Sequence, residues 1–150
     1  MIIDVSNDVQ ANKIIDILNK YMGTDYTNWR KATWRPDDKN CNYHIWFPKL
    51  AHKNNKGKYV ATSNGCINTH NADWTEIIFE DTKTDVNYGD ESRTNDYIVV
   101  FAKEYNGSYV FRGVFRQVTD NTKPYIYVYK KVSDMFDTSV SVIQPEMINE

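Results

Sequence analysis

Four residues near the middle of the chain have side chains suited to holding a flat ligand. Trp46 and Trp74 offer large aromatic faces, and Asn68 and Thr69 offer short hydrogen-bonding groups. Aromatic walls hold a flipped base or a cation, and a carboxamide pairs with the edge of a base. Because tryptophan usually packs in a core and asparagine often forms turns, these residues predict a pocket only together with their surroundings.

The surroundings are basic and aromatic. Residues 29–58 contain eight Lys or Arg and two Asp, a local net charge of +6, whereas the whole chain carries −2. Interleaved basic and aromatic residues are typical of nucleic-acid surfaces, where they attract phosphates and stack on bases. A solvated basic face is the alternative. The predicted contacts to a nucleic-acid backbone are Arg30, Arg35, Lys49, Lys53 and Lys56, with Arg112 as a further candidate.

A zinc site is a second possibility in the same region. Cys41 and His44 lie three positions apart, and Cys66 and His70 lie four apart, so together they could supply a Cys2His2 ligand set. Positions three apart on a strand face opposite sides, and neither pair has the Gly or Pro usual at a zinc knuckle. Zinc therefore remains an open alternative, and we expect no cofactor.

A metal-dependent nuclease is a third possibility. Asp73, Asp81 and Lys83 resemble the spaced carboxylates and lysine of magnesium-dependent nucleases, and two nearby carboxylates could hold Mg²⁺. Residues of such common types match many sequences by chance. The chain contains no GxxxxGK[ST], GxGxxG or GxSxG motif, which argues against nucleotide hydrolysis and against a serine hydrolase. We expect no enzymatic activity.

The elements that must position these residues are mainly strands. Ala11, Ile14, Ile15, Leu18 and Met22 follow helical spacing and predict an amphipathic helix over residues 8–22. Asn106-Gly107 between two apolar runs indicates a hairpin, and Gly113 within the second run indicates a bulge. Strands are predicted over 42–48, 58–62, 66–70, 74–81, 96–104, 108–118 and 125–132.

Several short segments resemble a known superfamily. They are "WFPKLA" (46–51), "INT" (67–69), "IVVFAKE" (98–104), "YVFRGVF" (109–115) and "YVYKKVS" (127–133). In this order they resemble the PUA-like superfamily, which includes SRA, EVE and YTH modules, over roughly residues 14–134. The resemblance implies a mainly β (α+β) fold, a small and strongly bent antiparallel β-barrel with an N-terminal helix.

The resemblance also implies a function and a site. Such modules bind a nucleobase, often a modified one, in an aromatic-lined pocket, alone or attached to restriction-type nucleases. On this basis we expect Trp46 and Trp74 to stack on a base and Asn68 and Thr69 to bond its edge. DNA or RNA would be the ligand, and a separate nuclease or defence protein a further partner. The alternative is a phage or mobile-element protein that binds and inhibits a host protein.

Length and composition set the remaining expectations. A chain of 150 residues with 41% hydrophobic and 25% charged residues is the size and composition of one globular domain. We predict one domain over 1–150, with the barrel over about 42–133 and a C-terminal tail over 134–150. The N-terminus shows no basic region followed by an apolar one, and no apolar run reaches membrane-spanning length, so we expect a cytoplasmic protein without membrane contact.

Overall fold

The computed structural model describes residues 1–61, 65–81, 95–118 and 126–148, which contain one α-helix and twelve strands. The helix is α1 (Ile14–Tyr21). The strands are β1 (Ile2–Asp4), β2 (Gln10–Ala11), β3 (Thr33–Trp34), β4 (Tyr43–Trp46), β5 (His52–Lys53), β6 (Tyr59–Val60), β7 (Cys66–His70), β8 (Glu76–Asp81), β9 (Tyr97–Lys103), β10 (Tyr109–Gln117), β11 (Ile126–Ser133) and β12 (Met135–Asp137). Short 3-10 turns cover Val5–Asn7 and Pro145–Met147. No helix in these residues is long and apolar enough to cross a membrane.

Helix α1 is shorter than the predicted helix over 8–22. Ile17 and Leu18 are fully buried, as the helical spacing requires. The N-terminal boundary was wrong because Asp8 adopts a left-handed backbone, with φ of 53°, and β2 pairs with β10. Gln10 and Ala11 therefore join the sheet, and the Val9 carbonyl accepts from the Phe111 N–H at 2.9 Å, so contacts with β10 take the place of a first helical turn.

The main sheet follows the order β3-β4-β9-β10-β11-β8-β7, with β2 added beside β10. All its pairs are antiparallel except β4 and β9, which run parallel with Ile45 opposite Val99. This confirms a mainly β fold. The sheets are not closed into the barrel that we predicted, because β3 and β7 do not pair with each other in the described residues. Near this opening, the Ala51 N–H donates to the Asn68 carbonyl at 2.8 Å.

Two hydrophobic clusters lie on the two faces of the main sheet. Val99 and Phe101 point into the larger cluster, and Ile98 and Val100 point into the smaller one. Strand β9 is therefore apolar at nearly every position, because successive side chains face opposite sides and both sides are buried. Helix α1 packs on the larger cluster through Ile17 and Leu18. The smaller cluster includes Leu50, which leads to the candidate site.

The predicted hairpin between β9 and β10 is present, and so is the predicted bulge at Gly113. Gly113 has a φ of 118° and lies at a register shift between β9 and β10. Asn106 has a φ of 61°, whereas Gly107 is not left-handed, so the turn differs from the type I′ turn that Asn-Gly usually forms. The turn is closed by a hydrogen bond from Gly107 N–H to the Glu104 carbonyl at 2.8 Å.

The C-terminal segment is docked on the domain. Strand β12 pairs with β1, and Phe136 lies opposite Ile3 with both side chains buried. Further along, the Asn42 carboxamide accepts from the Ile143 N–H at 2.7 Å and donates to the Ile143 carbonyl at 2.9 Å. The residues predicted as a tail thus contribute a strand and a buried side chain to the fold.

Candidate functional site

A surface cleft lies between the β5–β6 hairpin, strand β7 and the turn after β9. Its volume is about 190 Å³, and an adjoining cavity of about 340 Å³ continues along the same hairpin. The cleft is lined by Leu50, Ala51, Tyr59, Asn68, Thr69, His70, Glu104 and Tyr105. The second cavity shares Leu50, Glu104 and Tyr105 and adds Lys49, His52, Val60, Ala61, Lys103 and Asn106.

Asn68 brings a buried polar atom to the cleft. Its side chain lies on β7 and is only 5% exposed, since strand alternation places Cys66 and Asn68 on the same buried face. The carboxamide nitrogen donates to the Lys49 carbonyl at 3.0 Å. The carboxamide oxygen has no hydrogen-bond partner within the part of the chain that the structure describes. An unsatisfied buried acceptor costs free energy, and this one lies on a residue that lines the cleft.

Aromatic rings form two sides of the cleft. Tyr59 on β6 and Tyr105 in the turn after β9 are 48% and 63% exposed, unusually open for tyrosines beside a cavity. The Tyr105 ring stacks on His52, with centroids 3.9 Å apart and planes 17° from parallel. The Lys53 ammonium lies 5.2 Å from the Tyr59 ring centroid. These exposed rings are preformed surfaces for stacking a planar ligand.

Trp74 lies behind the cleft and supports one of its walls. Its ring stacks on His70, with centroids 3.6 Å apart and planes 9° from parallel, and the Arg112 guanidinium carbon lies 4.1 Å from its centroid. Trp74 has a left-handed backbone, with φ of 60°, so the turn after β7 holds it in a strained conformation. Burial lowers the pKa of Arg112, and the nearby Glu104 carboxylate opposes that shift.

Trp46 lies away from the cleft lining. It packs against Tyr129 at 5.1 Å and Phe79 at 6.2 Å between ring centroids, beside the smaller core cluster. Burial in this group raises the pKa of the Tyr129 phenol well above its ordinary value. Of the four predicted base-contacting residues, Asn68 and Thr69 line the cleft, Trp74 supports it, and Trp46 belongs to the adjacent core.

The predicted backbone contacts fall in four different places. Lys53 and Lys56 are exposed on the β5–β6 hairpin, and Lys49 is exposed beside the second cavity. Arg30 is exposed in the segment before β3. Arg35 donates to the Cys41 carbonyl at 3.2 Å and lies 3.7 Å from the Asp96 carboxylate. Arg112 packs on Trp74 and lies 4.0 Å from Glu104, which lines the cleft.

Among the described side chains, those considered for metal binding form no cluster of ligands. Within the described ranges, no group of three or more His, Cys, Asp or Glu side chains is arranged as metal ligands. His44 lies 3.3 Å from the Asp96 carboxylate, whereas His70 stacks on Trp74. Asp73 is exposed and accepts hydrogen bonds from Thr75. Asp81 ends β8, and Lys83 lies outside the described residues.

Sequence reasoning missed several residues that line the cleft. The local sequence pattern places Tyr59, Tyr105 and Glu104 in strands or turns and gives them no role in binding. It suggests His70 only as a possible zinc ligand. A signal was present at Tyr105, because an aromatic residue directly before an Asn-Gly turn has little core to enter. The other residues are brought together by pairing between distant strands, which no local pattern reports.

Comparison of the sequence with models of known protein families identifies the family of the chain. The model of the SET and RING associated domain, abbreviated SRA, matches residues 1–138, so the chain belongs to the SRA domain family. This confirms the resemblance to the PUA-like superfamily. SRA domains bind DNA that contains modified or flipped bases.

Solved structures include a similar fold in a restriction enzyme. The chain is similar to "The 5-Hydroxymethylcytosine-Specific Restriction Enzyme AbaSI", with a TM-score of 0.65 and 21% sequence identity. The match covers 91% of this chain but 42% of that enzyme, so the chain spans less than half of the enzyme's length. At this identity the likeness shows the fold. No curated protein matched the sequence.

Proposed function

We propose that this SRA domain is a non-catalytic reader of DNA that holds one base, modified and flipped out of the duplex, in the cleft. The buried carboxamide oxygen of Asn68 carries the proposal, because it needs a hydrogen-bond donor that the described residues do not supply. The exocyclic amino group of cytosine or adenine is such a donor. Thr69, beside Asn68 in the cleft, would add a second hydrogen bond to the base.

The size and walls of the cleft support a single base as its ligand. A volume of about 190 Å³ is below the range of drug-sized sites, roughly 300–1,000 Å³. Exposed Tyr59 and Tyr105 would stack on the base, and Trp74 would hold the His70 wall in place. Trp46 would act indirectly, by packing the core beneath Leu50. Stacking on aromatic rings compensates a flipped base for the stacking that it loses in the duplex.

Charge around the cleft supports contact with the phosphate backbone. The β5–β6 hairpin and its approach carry Lys49, Lys53, Lys56 and Lys58 without an acidic residue between positions 49 and 61. We propose that Lys49, Lys53 and Lys56 position the backbone on this side of the cleft. Arg30 would extend the contact, whereas Arg35 and Arg112 would act mainly through their contacts with Asp96 and Trp74.

A role in restriction or defence, with a separate nuclease as partner, is our proposal for the wider function. Its support is the likeness in fold to a restriction enzyme that is much longer than this chain. If the domain binds DNA without cleaving it, the purified protein with Mg²⁺ will leave modified and unmodified duplexes intact. Metal-stimulated cleavage that disappears in Asp73→Ala or Lys83→Ala would support the nuclease alternative instead.

The substitution Asn68→Ala tests the reader function. Binding would be measured for duplexes that differ only in one central cytosine, either unmodified, 5-methylated or 5-hydroxymethylated. The variant should bind the preferred duplex about fivefold to tenfold more weakly, since one buried hydrogen bond is lost. The exposed Asn28→Ala is the matched control and should bind as the unchanged protein does.

Two outcomes of this experiment would contradict the proposal. If the unchanged protein binds no duplex or single strand at low salt, the chain is not a nucleic-acid reader. If it binds and Asn68→Ala leaves the affinity for every one of these duplexes unchanged, the cleft does not hold the base. Urea unfolding of the variant checks that loss of the Asn68–Lys49 hydrogen bond has not unfolded the protein.

A further inference from the structure

His70, Trp74, Glu104 and Arg112 form a contiguous group at one wall of the cleft. His70 and Trp74 are stacked, and the Arg112 guanidinium lies over the indole. One oxygen of Glu104 lies 4.0 Å from His70 Nε2 and 4.0 Å from an Arg112 terminal nitrogen. His70 and Glu104 both line the cleft, so these groups meet any ligand that enters it.

The position of the His70 proton follows from its neighbours. His70 Nδ1 lies 2.6 Å from the Asn71 carbonyl oxygen. A carbonyl only accepts, so Nδ1 carries the hydrogen and donates it. In the neutral ring Nε2 is then an acceptor, whereas in the protonated ring Nε2 is a donor facing Glu104. Protonation of this one ring therefore reverses the hydrogen-bonding character of the wall.

The charged and titratable groups around His70 come from three neighbouring elements. The turn after β9 contributes Glu104 and the Tyr105 phenol, and β6 contributes the Tyr59 phenol. Strand β10 contributes Arg112 behind Trp74, and the β8 residue opposite His70 is the apolar Ile77. Glu104 is thus the group that a charged imidazole would pair with directly.

With His70 neutral, His70 Nε2 and the Glu104 carboxylate are both acceptors at the cleft wall. Asn68 also lines the cleft, and its buried carboxamide oxygen has no hydrogen-bond partner within the described residues. Such a set is complementary to an amino group and repels a carbonyl oxygen at the same place. With His70 protonated, Nε2 no longer accepts, and the imidazolium forms an ion pair with the Glu104 carboxylate 4.0 Å away, so both groups are withdrawn from the acceptor set.

We infer that His70 is a proton-dependent specificity residue of the cleft, which favours a base with an amino group when neutral and loses that preference when protonated. The inference rests on the proposed function. It predicts that selection between an amino and a carbonyl group on the same ring depends on pH. Histidine is suited to this role because its charge ordinarily changes between about pH 5 and 8.

The test compares two series of duplexes at pH 8 and pH 5.5. One contains a single cytosine, 5-methylcytosine or 5-hydroxymethylcytosine, and the other contains uracil, thymine or 5-hydroxymethyluracil at that position. Within each pair the 4-amino group becomes a carbonyl and N3 gains a hydrogen, and this chemical difference is the same at both pH values. We expect the affinity ratio of the best-bound pair to fall about fivefold or more from pH 8 to pH 5.5, as one hydrogen-bonding contact changes sign.

Two ring-preserving variants assign the effect to one histidine. His70→Phe keeps a ring to stack on Trp74 but cannot titrate, so its affinity ratio should be the same at both pH values. His52→Phe is the matched control, since it keeps the stack on Tyr105 and should retain the pH dependence. Glu104→Gln should reduce the ratio at pH 8.

The outcomes separate this inference from the proposed function. A pH-independent ratio in the unchanged protein would overturn the role of His70 while leaving base reading intact. That role is also overturned if His52→Phe, and not His70→Phe, abolishes the pH dependence. If no duplex in either series is bound above background, the proposed function itself fails. The measurement on the unchanged protein remains decisive even if His70→Phe does not fold.

Discussion

At the scale of single residues, the cleft contains a buried hydrogen-bond acceptor without a partner in the described residues, and beside it lies a residue with a strained backbone. Asn68 is buried, yet its carboxamide oxygen lacks a partner in the described part of the chain. Trp74 is held with a left-handed backbone against His70. Both features cost free energy in the empty protein, and ligand contacts would offset the cost at Asn68.

The bulge at Gly113 gives a prediction at this scale. Its φ of 118° disfavours any side chain, and an added Cβ would lie 2.7 Å from the Ser133 carbonyl oxygen. We expect Gly113→Ala to lower the free energy of unfolding by about 3 kcal/mol or more, from backbone strain and overpacking together. Urea unfolding monitored by tryptophan fluorescence measures this change.

Gly57→Ala is the matched control for Gly113→Ala. Gly57 also has a left-handed φ, of 73°, but nothing lies within 4 Å of an added Cβ. Only the strain is introduced, so we expect a loss of about 1 kcal/mol. Equal losses in the two variants would show that the contact with Ser133 does not constrain β10.

At the scale of elements, the site combines three parts that are far apart in sequence. Strand β7 supplies Asn68, Thr69 and His70, the turn after β9 supplies Glu104 and Tyr105, and the β5–β6 hairpin supplies Tyr59. The hairpin forms a separate two-stranded sheet and carries exposed lysines. In the proposed function, this hairpin would contact the DNA backbone while the rest of the site would hold the base.

The lysines of this hairpin give a prediction about the salt dependence of binding. Lys53→Gln and Lys56→Gln should each weaken binding of modified and unmodified duplexes by a similar factor, because phosphate contacts carry no base information. Each loss of a phosphate contact should lower the slope of log affinity against log salt by about 0.9. Binding titrations at several salt concentrations measure both effects.

Lys20→Gln on α1 is the control for the hairpin lysines. Its side chain is exposed and lies on the element that packs on the larger core cluster, whereas the cleft borders the smaller one. The salt slope of this variant should equal that of the unchanged protein. A change confined to one modified duplex, for any of the three variants, would indicate base contact instead of backbone contact.

At the scale of the whole molecule, surface carboxylates accept hydrogen bonds in turns near both ends of the chain, and one of them joins the C-terminal segment to the turn before β4. Asp38 accepts from the Ser141 hydroxyl at 2.6 Å, and Asp137 accepts from the N–H and hydroxyl of Ser139. These hydrogen bonds hold the pKa of each carboxyl below its ordinary value of 3.8. The pKa of Asp4 is lowered in the same way by its hydrogen bonds from Ser6.

The direction of these shifts predicts the acid sensitivity of the fold. A carboxyl with a lowered pKa stabilises the folded state above its unfolded pKa, and this contribution disappears as the pH falls through the folded pKa. The urea midpoint should therefore drop as the pH is lowered below about 4, near the ordinary pKa of aspartate. Asp38→Asn should make this drop smaller, and the exposed neighbour Asp37→Asn should leave it unchanged. A midpoint that rises on acidification would contradict the assignment.

Much of the architecture was predictable because it depends on local pattern. The strands predicted over 66–70 and 96–104 appear as Cys66–His70 and Tyr97–Lys103, and the bulge at Gly113 was foreseen from one glycine in an apolar run. Alternation of side chains and the backbone freedom of glycine act within a few residues, so a single sequence displays them. The basic character of residues 49–58 was visible for the same reason.

Only the tertiary structure decided which side chains share the cleft. Trp46 looked as suitable as Trp74 for a base, yet strand pairing packs it against Tyr129 and Phe79. Conversely, Tyr105 and His70 meet at the cleft because β7 and the turn after β9 approach each other across 35 residues of chain. The sequence by itself thus determined a mainly β fold with a basic, aromatic segment. Long-range pairing decided the composition of the site, since distances between strands depend on the register and twist of the whole sheet.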